Sequence, residues 1–353
     1  MATLVGLDIG TDGVRAVETT TTARSITVRK AHAIPLDPGV FTGGKVSDPA
    51  GLTAALRLLW KYGKFSTKKA NLVVGSHPSV VVRGAAIAYL PKKDDRNVFV
   101  AETARHTMPV NSETLYLDHH VANVYTSPQV EGPDHTMADI ALAGVDRESL
   151  DGILNCTIQA GLAPHSVDVT TFALARLVTA STSSSHSIDV LVHIGATTVT
   201  VTGILANQFA YQSAMNHFCG QDLTADIAEH FGVPVPEAEQ LKVSFTQNQA
   251  ERFDPFALDP QTIIAQWTTA LVREIQSAIT EMTQGIGHPV GRIWISGGGS
   301  GLPNLAARVS ASQPAQVKVT VLDATTWVSN PQRLVSAHVQ GQDLTAALAA
   351  SVQ

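Results

Sequence analysis

The chain has 353 residues, of which 44% are hydrophobic and 15% charged, so it can fill two packed domains and is too apolar to be disordered. Its net charge of -6 argues against nucleic acid or an anionic membrane surface as the main partner. No apolar run reaches the roughly 18 residues of a membrane-spanning helix, and the N-terminus lacks the basic start of a signal peptide. Cys156 and Cys219 lie far apart, which fits a reducing compartment and neither a zinc site nor a disulfide framework.

The first half of the chain alternates strands and helices between glycine- and proline-rich turns. The predicted elements are strands at 3–9, 14–20 and 25–34, a helix that begins at Asp48-Pro49, strands at 71–75 and 79–88, a helix at 96–108, strands at 115–125 and 137–145, and helices at 146–160 and 172–178. Residues 179–187 are small, polar and rich in serine and threonine, which is typical of a hinge. We therefore predict one domain over residues 1–187 and a second over 188–353.

The second half begins with a similar run of strands. Its predicted elements are strands at 188–194, 198–205 and 209–214, helices at 222–231 and 236–242, a long helix at about 259–284, a strand at 292–296, a helix at 302–310, a strand at 317–322 and an Ala-rich helix at 342–352. The long helix has an apolar stripe that includes Trp267, Leu271 and Ile275, so one of its faces should be buried. The matching starts of the two halves predict two related α/β domains.

The turn between the first two strands carries the strongest functional signal. Asp8 lies at the end of an apolar strand, where a carboxylate is costly to bury unless something uses it. The turn itself consists of Gly10, Thr11, Asp12 and Gly13. Its backbone N–H groups and hydroxyls suit the oxygens of a phosphate. An ordinary hairpin, in which Asp8 caps its own turn, is the alternative, because short glycine motifs are common by chance.

Two later stretches have a related design. His193-Ile194-Gly195 repeats the order of apolar strand, polar residue and Ile-Gly. The small residues that complete this second turn are Ala196, Thr197 and Thr198. A third stretch, with Gly297, Gly298 and Gly299, joins a buried strand to a helix, where glycine lets the backbone approach a ligand closely. A glycine turn in such a place also occurs for packing alone.

Two facing strand–turn–strand loops and one late glycine loop resemble the actin-like nucleotide-binding fold. Within that fold the chain is most similar to the PilM family of type IV pilus assembly platforms. The similarity covers the opening at 6–18, the Glu-x-x-Arg-x-x-x-Pro spacing of Glu102, Arg105 and Pro109, and the stretch 160–169. The resemblance implies an α/β protein with two ribonuclease H-like domains of the actin type.

The resemblance also implies how the domains are subdivided. The first domain should carry an inserted small subdomain at about 76–164, of the kind that FtsA and PilM have in place of the insertion of actin. The second should carry its own small subdomain at about 216–262. The helix at 342–352 should pack back on the first domain.

The resemblance implies that ATP or ADP binds between the two domains. Asp8, the turn at 10–13 and Arg15 would surround the β- and γ-phosphates, and Asp8 would hold Mg²⁺ through water. The turn at 195–198 would contact the phosphates from the other domain, and the glycine loop at 297–299 would approach the nucleotide. Glu239 and Lys242, three residues apart on one helical face, would lie at the adenosine and ribose. The alternative for this pair is a solvated surface ion pair.

Two positions depart from the family pattern. His193 stands where an aspartate usually precedes the Ile-Gly of the second turn, and a histidine cannot replace an anionic oxygen near Mg²⁺. Thr170 stands where a glutamate usually begins the connecting helix, near the attacking water. Losing both carboxylates removes metal positioning and water activation. We therefore expect weak Mg²⁺ binding, little or no hydrolysis and no catalytic residue.

The resemblance implies a cytoplasmic scaffold that is peripheral to the inner membrane through a partner. That partner would be the N-terminal tail of a PilN-like membrane protein, held near the inserted subdomain by residues 79–83 and 96–108. We also expect self-association into a ring or other oligomer, no nucleic acid and no direct membrane insertion. Three alternatives stay open: an active actin-like ATPase or sugar-kinase relative, a nucleotide-free scaffold, and an FtsA-like filament protein. The last should end in an amphipathic membrane helix, whereas residues 342–353 contain one charge and no basic face.

Overall fold

Two five-stranded sheets with the same pattern of pairing organise the structure, a computed structural model that describes residues 3–22, 25–75, 79–90, 92–126, 136–179, 186–246, 260–335 and 341–352. The strands are β1 (Thr3–Ile9), β2 (Gly13–Thr21), β3 (Ile26–Pro35), β4 (Phe41–Thr42), β5 (Lys45–Val46), β6 (Lys69–Val74), β7 (Val80–Ala88), β8 (Leu115–Thr126), β9 (Thr136–Asp146), β10 (Ala163–Val169), β11 (Ile188–Ile194), β12 (Val199–Leu205), β13 (Gln208–Met215), β14 (Val290–Ser296) and β15 (Lys318–Val321). The helices are α1 (Pro49–Gly63), α2 (Lys93–Thr107), α3 (Arg147–Gln159), α4 (Thr170–Thr179), α5 (Gly220–Phe231), α6 (Val235–Thr246), α7 (Pro260–Ile286), α8 (Leu305–Ala311), α9 (Gln332–Val335) and α10 (Thr345–Ser351).

The first sheet has the strand order β10-β6-β1-β2-β3 and the second has the order β13-β12-β11-β14-β15. In each sheet, three consecutive strands form an antiparallel meander. One later strand pairs in parallel with the first strand of the meander, and the last strand pairs in parallel with that one. Parallel neighbours need helical crossovers, which α1 and α7 supply in the two halves. The two halves therefore share one α/β topology.

The inserted segment forms a small sheet of its own. Its strands are antiparallel in the order β7-β9-β8, and α2 packs against it. Its separate core includes Val81, Ile87, Val100, Ala104 and Leu142. The small sheet lies in the chain between β6 and β10, two adjacent strands of the first large sheet, so it projects from that domain as an insertion.

Helix α1 begins where Asp48-Pro49 predicts. The Asp48 carboxylate accepts a hydrogen bond of 3.0 Å from the backbone N–H of Gly51, and Pro49 takes the first helical position, where its missing N–H costs nothing. The apolar stripe of the helix, with Leu52 and Leu56 at its centre, is fully buried. Lys64 ends the helix in the left-handed conformation.

Helix α7 forms the centre of the second core. Trp267, Leu271 and Ile275 are all buried among the strands of the second sheet, as the stripe predicted. Among the described residues, no helix is both long enough and apolar enough to cross a membrane. Most of the predicted hinge, residues 180–185, lies outside the described residues, as does Asp259 immediately before α7.

The C-terminal helix α10 crosses back to the first domain. It lies against β1 and β2, where the Thr19 hydroxyl donates a hydrogen bond of 3.1 Å to the carbonyl of Ser351. The amide of Asn71 on β6 donates another, of 3.3 Å, to the carbonyl of Ala350. Every residue of α10 is buried. The small alanine side chains let the helix pack closely against the strands.

Several predicted segments differ from the structure. No strand was predicted between residue 34 and Asp48, where the structure has the short β4–β5 hairpin. The helix predicted at 342–352 begins at Thr345, after the 3₁₀ turn Gly341–Leu344. The helix predicted at 302–310 begins at Leu305, because the glycine loop first closes a 3₁₀ turn over Gly298–Gly301 and Asn304 then adopts the left-handed conformation. A glycine-rich sequence does not show which turn it adopts, so this boundary could not be read from residue types alone.

Candidate functional site

The two hairpin turns predicted to match have the same geometry. In the first turn the N–H of Gly10 donates to the carbonyl of Gly13 at 3.0 Å. In the second turn the N–H of Gly195 donates to the carbonyl of Thr198 at 2.9 Å. Each turn follows the first strand of its sheet, so the two turns occupy equivalent places in the two domains.

Two charged side chains at the first turn, Arg15 and Asp12, influence the pKa of His193 in the second sheet. Burial and the guanidinium of Arg15 lower the pKa of His193 to about 4, although Asp12 opposes them, so His193 is neutral near pH 7. The Nδ1 atom of His193 lies 3.0 Å from the Ser296 hydroxyl. Arg15 and Asp12, beside the first turn, are therefore close enough to His193, just before the second turn, to act on its charge.

Arg15 forms the centre of the charge network in the cleft. Its Nη2 atom lies 2.8 Å and its Nη1 atom 3.2 Å from the two carboxylate oxygens of Asp12. Nη1 also donates to the carbonyl of Gly13 at 3.3 Å and lies 3.8 Å from Oδ2 of Asp8. The side chains of Arg15 and Asp8 are only 15% and 11% exposed, so little water screens their attraction.

These contacts shift the acid–base equilibria of the two aspartates in opposite directions. Burial raises the pKa of Asp8 to about 7, with Asp12 and Asp343 adding to the effect and Arg15 opposing it. Burial also acts on Asp12, but the paired guanidinium outweighs it and holds the pKa of Asp12 below its ordinary value. The same carboxylates raise the pKa of Arg15, so that side chain is a permanent cation.

Asp343 belongs to the cleft and was missed by the sequence analysis. It lies in the turn Gly341–Leu344, just before α10, and its carboxylate is near enough to shift the pKa of Asp8 and Arg15. A Cβ atom placed on Gly298 would lie 3.6 Å from its Oδ1 atom. No motif marks this residue; the predicted return of the C-terminal helix was the one signal that could have placed it here.

The three glycines of the glycine loop have different roles. A Cβ atom on Gly297 would lie 2.3 Å from the carbonyl oxygen of Ile194, and one on Gly299 would lie 2.2 Å from the side chain of Ile194. These two glycines are therefore required where the loop packs on the end of β11. A Cβ atom on Gly298 would make no such contact with β11. Packing therefore explains the glycines at 297 and 299 but not the one at 298.

Glu239 and Lys242 form a network that reaches the second turn. Lys242 Nζ lies 2.6 Å from Glu239 Oε2, 2.8 Å from the Thr224 hydroxyl and 3.0 Å from the Gly220 carbonyl. The backbone N–H of Gly220 in turn donates to the carbonyl of Gly195 at 3.0 Å. Lys242 is only 16% exposed, and its charge lowers the pKa of Asp12, so it lies at the cleft rather than on a solvated rim.

Two buried hydroxyls beside the cleft lack a hydrogen-bond partner among the described residues. They are those of Thr198, in the second turn, and Ser300, in the glycine loop. Both residues are at least nine-tenths buried. Because a buried hydroxyl without a partner is costly, these two groups point to a ligand that the cleft would hold.

A family model described as type IV pilus assembly protein PilM matches residues 6–351. The chain belongs to the PilM family. The family and the actin-like fold that the sequence motifs predicted are thus confirmed.

Solved structures agree with this assignment. A PilM–PilN type IV pilus biogenesis complex aligns with a TM-score of 0.81 at 20% identity, over 99% of this chain and 97% of the other. The ethanolamine utilization protein EutJ from Carboxydothermus hydrogenoformans aligns with a TM-score of 0.57 at 14% identity, over 100% and 90%. MreB5 of Spiroplasma citri bound to ADP aligns with a TM-score of 0.51 at 10% identity, over 99% and 95%. At these identities the matches establish the fold of this PilM-family chain.

Asp8, the one residue predicted to hold magnesium, has a cation as its neighbour in this PilM-family chain. Among the described residues, no three His, Cys, Asp or Glu side chains are grouped so that they could hold a metal. Asp8 faces the Arg15 cation, and His193 presents a neutral ring bonded to Ser296. In nucleotide sites magnesium is usually held by one or two carboxylates together with phosphate oxygens and waters, and the carboxylate predicted for that role, Asp8, already faces a cation.

The start of the connecting helix is equally unsuited to water activation. The Thr170 hydroxyl is buried and donates to the carbonyl of Val74 at 3.1 Å, so it serves the backbone of β6. Asp168, two residues earlier, pairs with Arg176 of α4 at 2.5 Å. In the PilM-family pattern a glutamate stands at position 170, and neither of these side chains replaces it.

A second concave surface lies on the inserted subdomain. A cavity of about 400 Å³ between α2 and β8 is lined by Asn97, Val100, Ala101, Leu117, Asp118 and His119. On α2, next to these residues in the chain, Val98 is 70% and Phe99 40% exposed. Val81 and Val82 of β7 are buried, so of the two segments predicted to bind a partner, α2 offers the larger apolar surface.

Proposed function

We propose that this chain is an actin-like scaffold of a type IV pilus assembly platform that binds ATP or ADP between its domains. The observation that carries the proposal is the pair of matching turns facing each other, with the Arg15 and Lys242 cations and the unpartnered hydroxyls of Thr198 and Ser300 at one cleft. Phosphate oxygens would accept hydrogen bonds from the turn backbones, from Arg15 and from both hydroxyls, while Lys242 would lie near the adenosine and ribose.

The proposed role is binding with little or no hydrolysis. His193 is a neutral ring in place of a carboxylate, and Thr170 is committed to a backbone carbonyl. Nucleotide would then act as a structural ligand that holds the two domains together, and the protein would be peripheral to the inner membrane through its partner. An active ATPase stays the competing proposal, and steady phosphate release that Asp8→Ala abolishes would favour it.

The first test is stabilisation by nucleotide. ATP or ADP at about 100 times its Kd should raise the free energy of unfolding by about 2.7 kcal/mol, since the ligand binds the folded state alone. The measurement is a thermal or denaturant unfolding curve with and without nucleotide, beside a parallel assay of phosphate release. Guanosine and inorganic phosphate serve as controls. If neither ATP nor ADP moves the curve, the nucleotide-free scaffold is the better description.

Thr198→Val separates the stability of the chain from its binding. The valine is nearly isosteric and removes a buried hydroxyl that lacks a protein partner, so the empty protein should be unchanged or stabilised by about 1 kcal/mol. Nucleotide affinity should fall about tenfold, since a hydrogen bond to a charged phosphate is lost. Isothermal titration calorimetry measures the affinity. Thr262→Val, on α7, is a threonine-to-valine control far along the chain from both turns.

We further propose that the partner is the N-terminal tail of a PilN-like membrane protein, bound at the α2 surface, and that the chain self-associates. The solved complex named above contains PilM and PilN, and the cavity beside α2 offers a site for an extended segment with an apolar side chain. Ala101→Glu would place a charge in that cavity and should weaken binding at least about tenfold. Thr107→Glu, at the exposed end of the same helix, is the matched control.

Fluorescence polarisation with a labelled tail peptide of the PilN-like protein from the same genome measures this effect, and light scattering measures self-association. Equal binding by wild type and Ala101→Glu would exclude the α2 surface. No binding by the wild type would reject this partner.

A further inference from the structure

The cation nearest to Asp8 is a side chain rather than a metal. Nη1 of Arg15 lies 3.8 Å from Asp8, and the guanidinium makes two nearly parallel hydrogen bonds to Asp12. A Cβ atom on Gly10 would lie 3.1 Å from Nη1, so glycine at this position leaves room for the guanidinium above the turn. Arg15 therefore occupies the space over the first turn, beside the carboxylate that was predicted to hold a divalent ion.

The surroundings of Arg15 resemble those of a bound metal ion. Three carboxylates, of Asp8, Asp12 and Asp343, act on this one guanidinium. A magnesium ion in the same place would be repelled by Arg15 and would find no oxygen ligand at position 193, where the ring of His193 contacts Ser296. The carboxylates of the cleft thus already share one cation, and this cation is covalently part of the chain.

The remaining donors of Arg15 can face a ligand. A guanidinium has five N–H donors in a planar fork, and the contacts with Asp12 and Gly13 use three of them. The other two suit phosphate oxygens, with which arginine forms short, charge-assisted hydrogen bonds. Arg15 can thus bridge the carboxylates and a phosphate, which is the bridging role that Mg²⁺ has in many nucleotide sites.

We propose that Arg15 takes the place of the divalent cation, so that this chain binds its nucleotide without Mg²⁺. The inference rests on the proposed nucleotide binding, and it adds that binding of the nucleotide needs no metal ion. Nucleotide binding and its independence of Mg²⁺ fail in different experiments. Absence of binding rejects the first claim, and binding that depends on Mg²⁺ rejects only the second.

Titration calorimetry with ATP in excess EDTA and again in excess MgCl₂ tests the proposal on the whole chain. The wild type should bind with Kd values within about threefold of each other. Arg15→Met keeps the length of the side chain and removes its charge, so binding in EDTA should weaken about tenfold or more. Adding MgCl₂ should restore part of that loss, since the carboxylates are then open to a metal.

Two further variants serve as controls for Arg15→Met. Arg57→Met makes the same substitution on α1, where Arg57 contacts the carbonyl of Gln159, and should bind as the wild type does. Arg15→Lys keeps the charge and should bind in EDTA and in MgCl₂ with similar affinity. Circular dichroism establishes whether each variant is folded. If a variant does not fold, the comparison of wild-type Kd values in EDTA and in MgCl₂ still tests the proposal.

Each outcome gives a decision. Similar wild-type affinity in both buffers, together with a loss in Arg15→Met, supports the proposal. Wild-type binding that is tenfold weaker in EDTA, or full binding by Arg15→Met in EDTA, overturns it and leaves nucleotide binding intact. Absence of binding in both buffers rejects the proposed function itself.

Discussion

Gly6→Ala is expected to destabilise the chain by about 3 kcal/mol or more, although it adds a single methyl group. A Cβ atom at this position would lie 2.0 Å from the carbonyl oxygen of Ala347 and 2.5 Å from the backbone nitrogen of Ser351. Both atoms belong to the backbone of α10, so no side chain can rotate away to relieve the overlap. Either α10 must move off β1 and β2 or the strand must bend.

The matched substitution is Gly285→Ala on α7. Nothing lies within 4 Å of a Cβ atom there, and the backbone is helical, so alanine should stabilise the chain by up to about 1 kcal/mol through its better helix propensity. Urea unfolding followed by circular dichroism measures both variants. If Gly6→Ala lowers the free energy of unfolding by less than Gly285→Ala raises it, α10 does not pack on β1 as it does in the structure.

The fold was predictable where a local pattern repeats. The turns at 10–13 and 195–198 each follow an apolar strand, and their spacing is short enough for the hairpin to be read directly from the sequence. Helix α1 was equally clear, because Asp48 and Pro49 signal its start and its leucines recur with the helical period. Such features depend on neighbours within a few residues.

The site was less predictable because its charges are paired over long distances. Asp343 reaches Asp8 and Arg15 only through the return of α10, more than 300 residues later in the chain. Gly297 is fixed by the carbonyl of Ile194 on another strand, which residue types alone could not distinguish from contact with a ligand. The sequence marked Arg15 as a phosphate ligand but could not show that Asp12 already holds it.

The network of paired charges also predicts how stability depends on pH. Asp8 has a pKa of about 7 in the folded chain against an ordinary value of 3.8, so the folded state binds its proton more tightly than the unfolded state does. The stability that this provides is complete below pH 3.8 and is lost as the pH rises to 7. His193 behaves in the opposite way, because its pKa falls from 6.5 to about 4. Its contribution is complete above pH 6.5 and is lost as the pH falls to 4.

Between about pH 4 and 6.5 the two contributions therefore offset each other, and single variants should reveal them. Asp8→Asn should gain stability relative to the wild type as the pH rises from 4.5 to 6.5, by about 3 kcal/mol at 1.36 kcal/mol per pH unit. His193→Gln should show a smaller change of opposite sign, since His193 is only part-buried. Denaturant unfolding at four pH values across this range measures each slope. The double variant should lack both slopes, because both titrations are gone. Parallel curves for the wild type and Asp8→Asn would instead mean that Asp8 is ionised in the folded cleft.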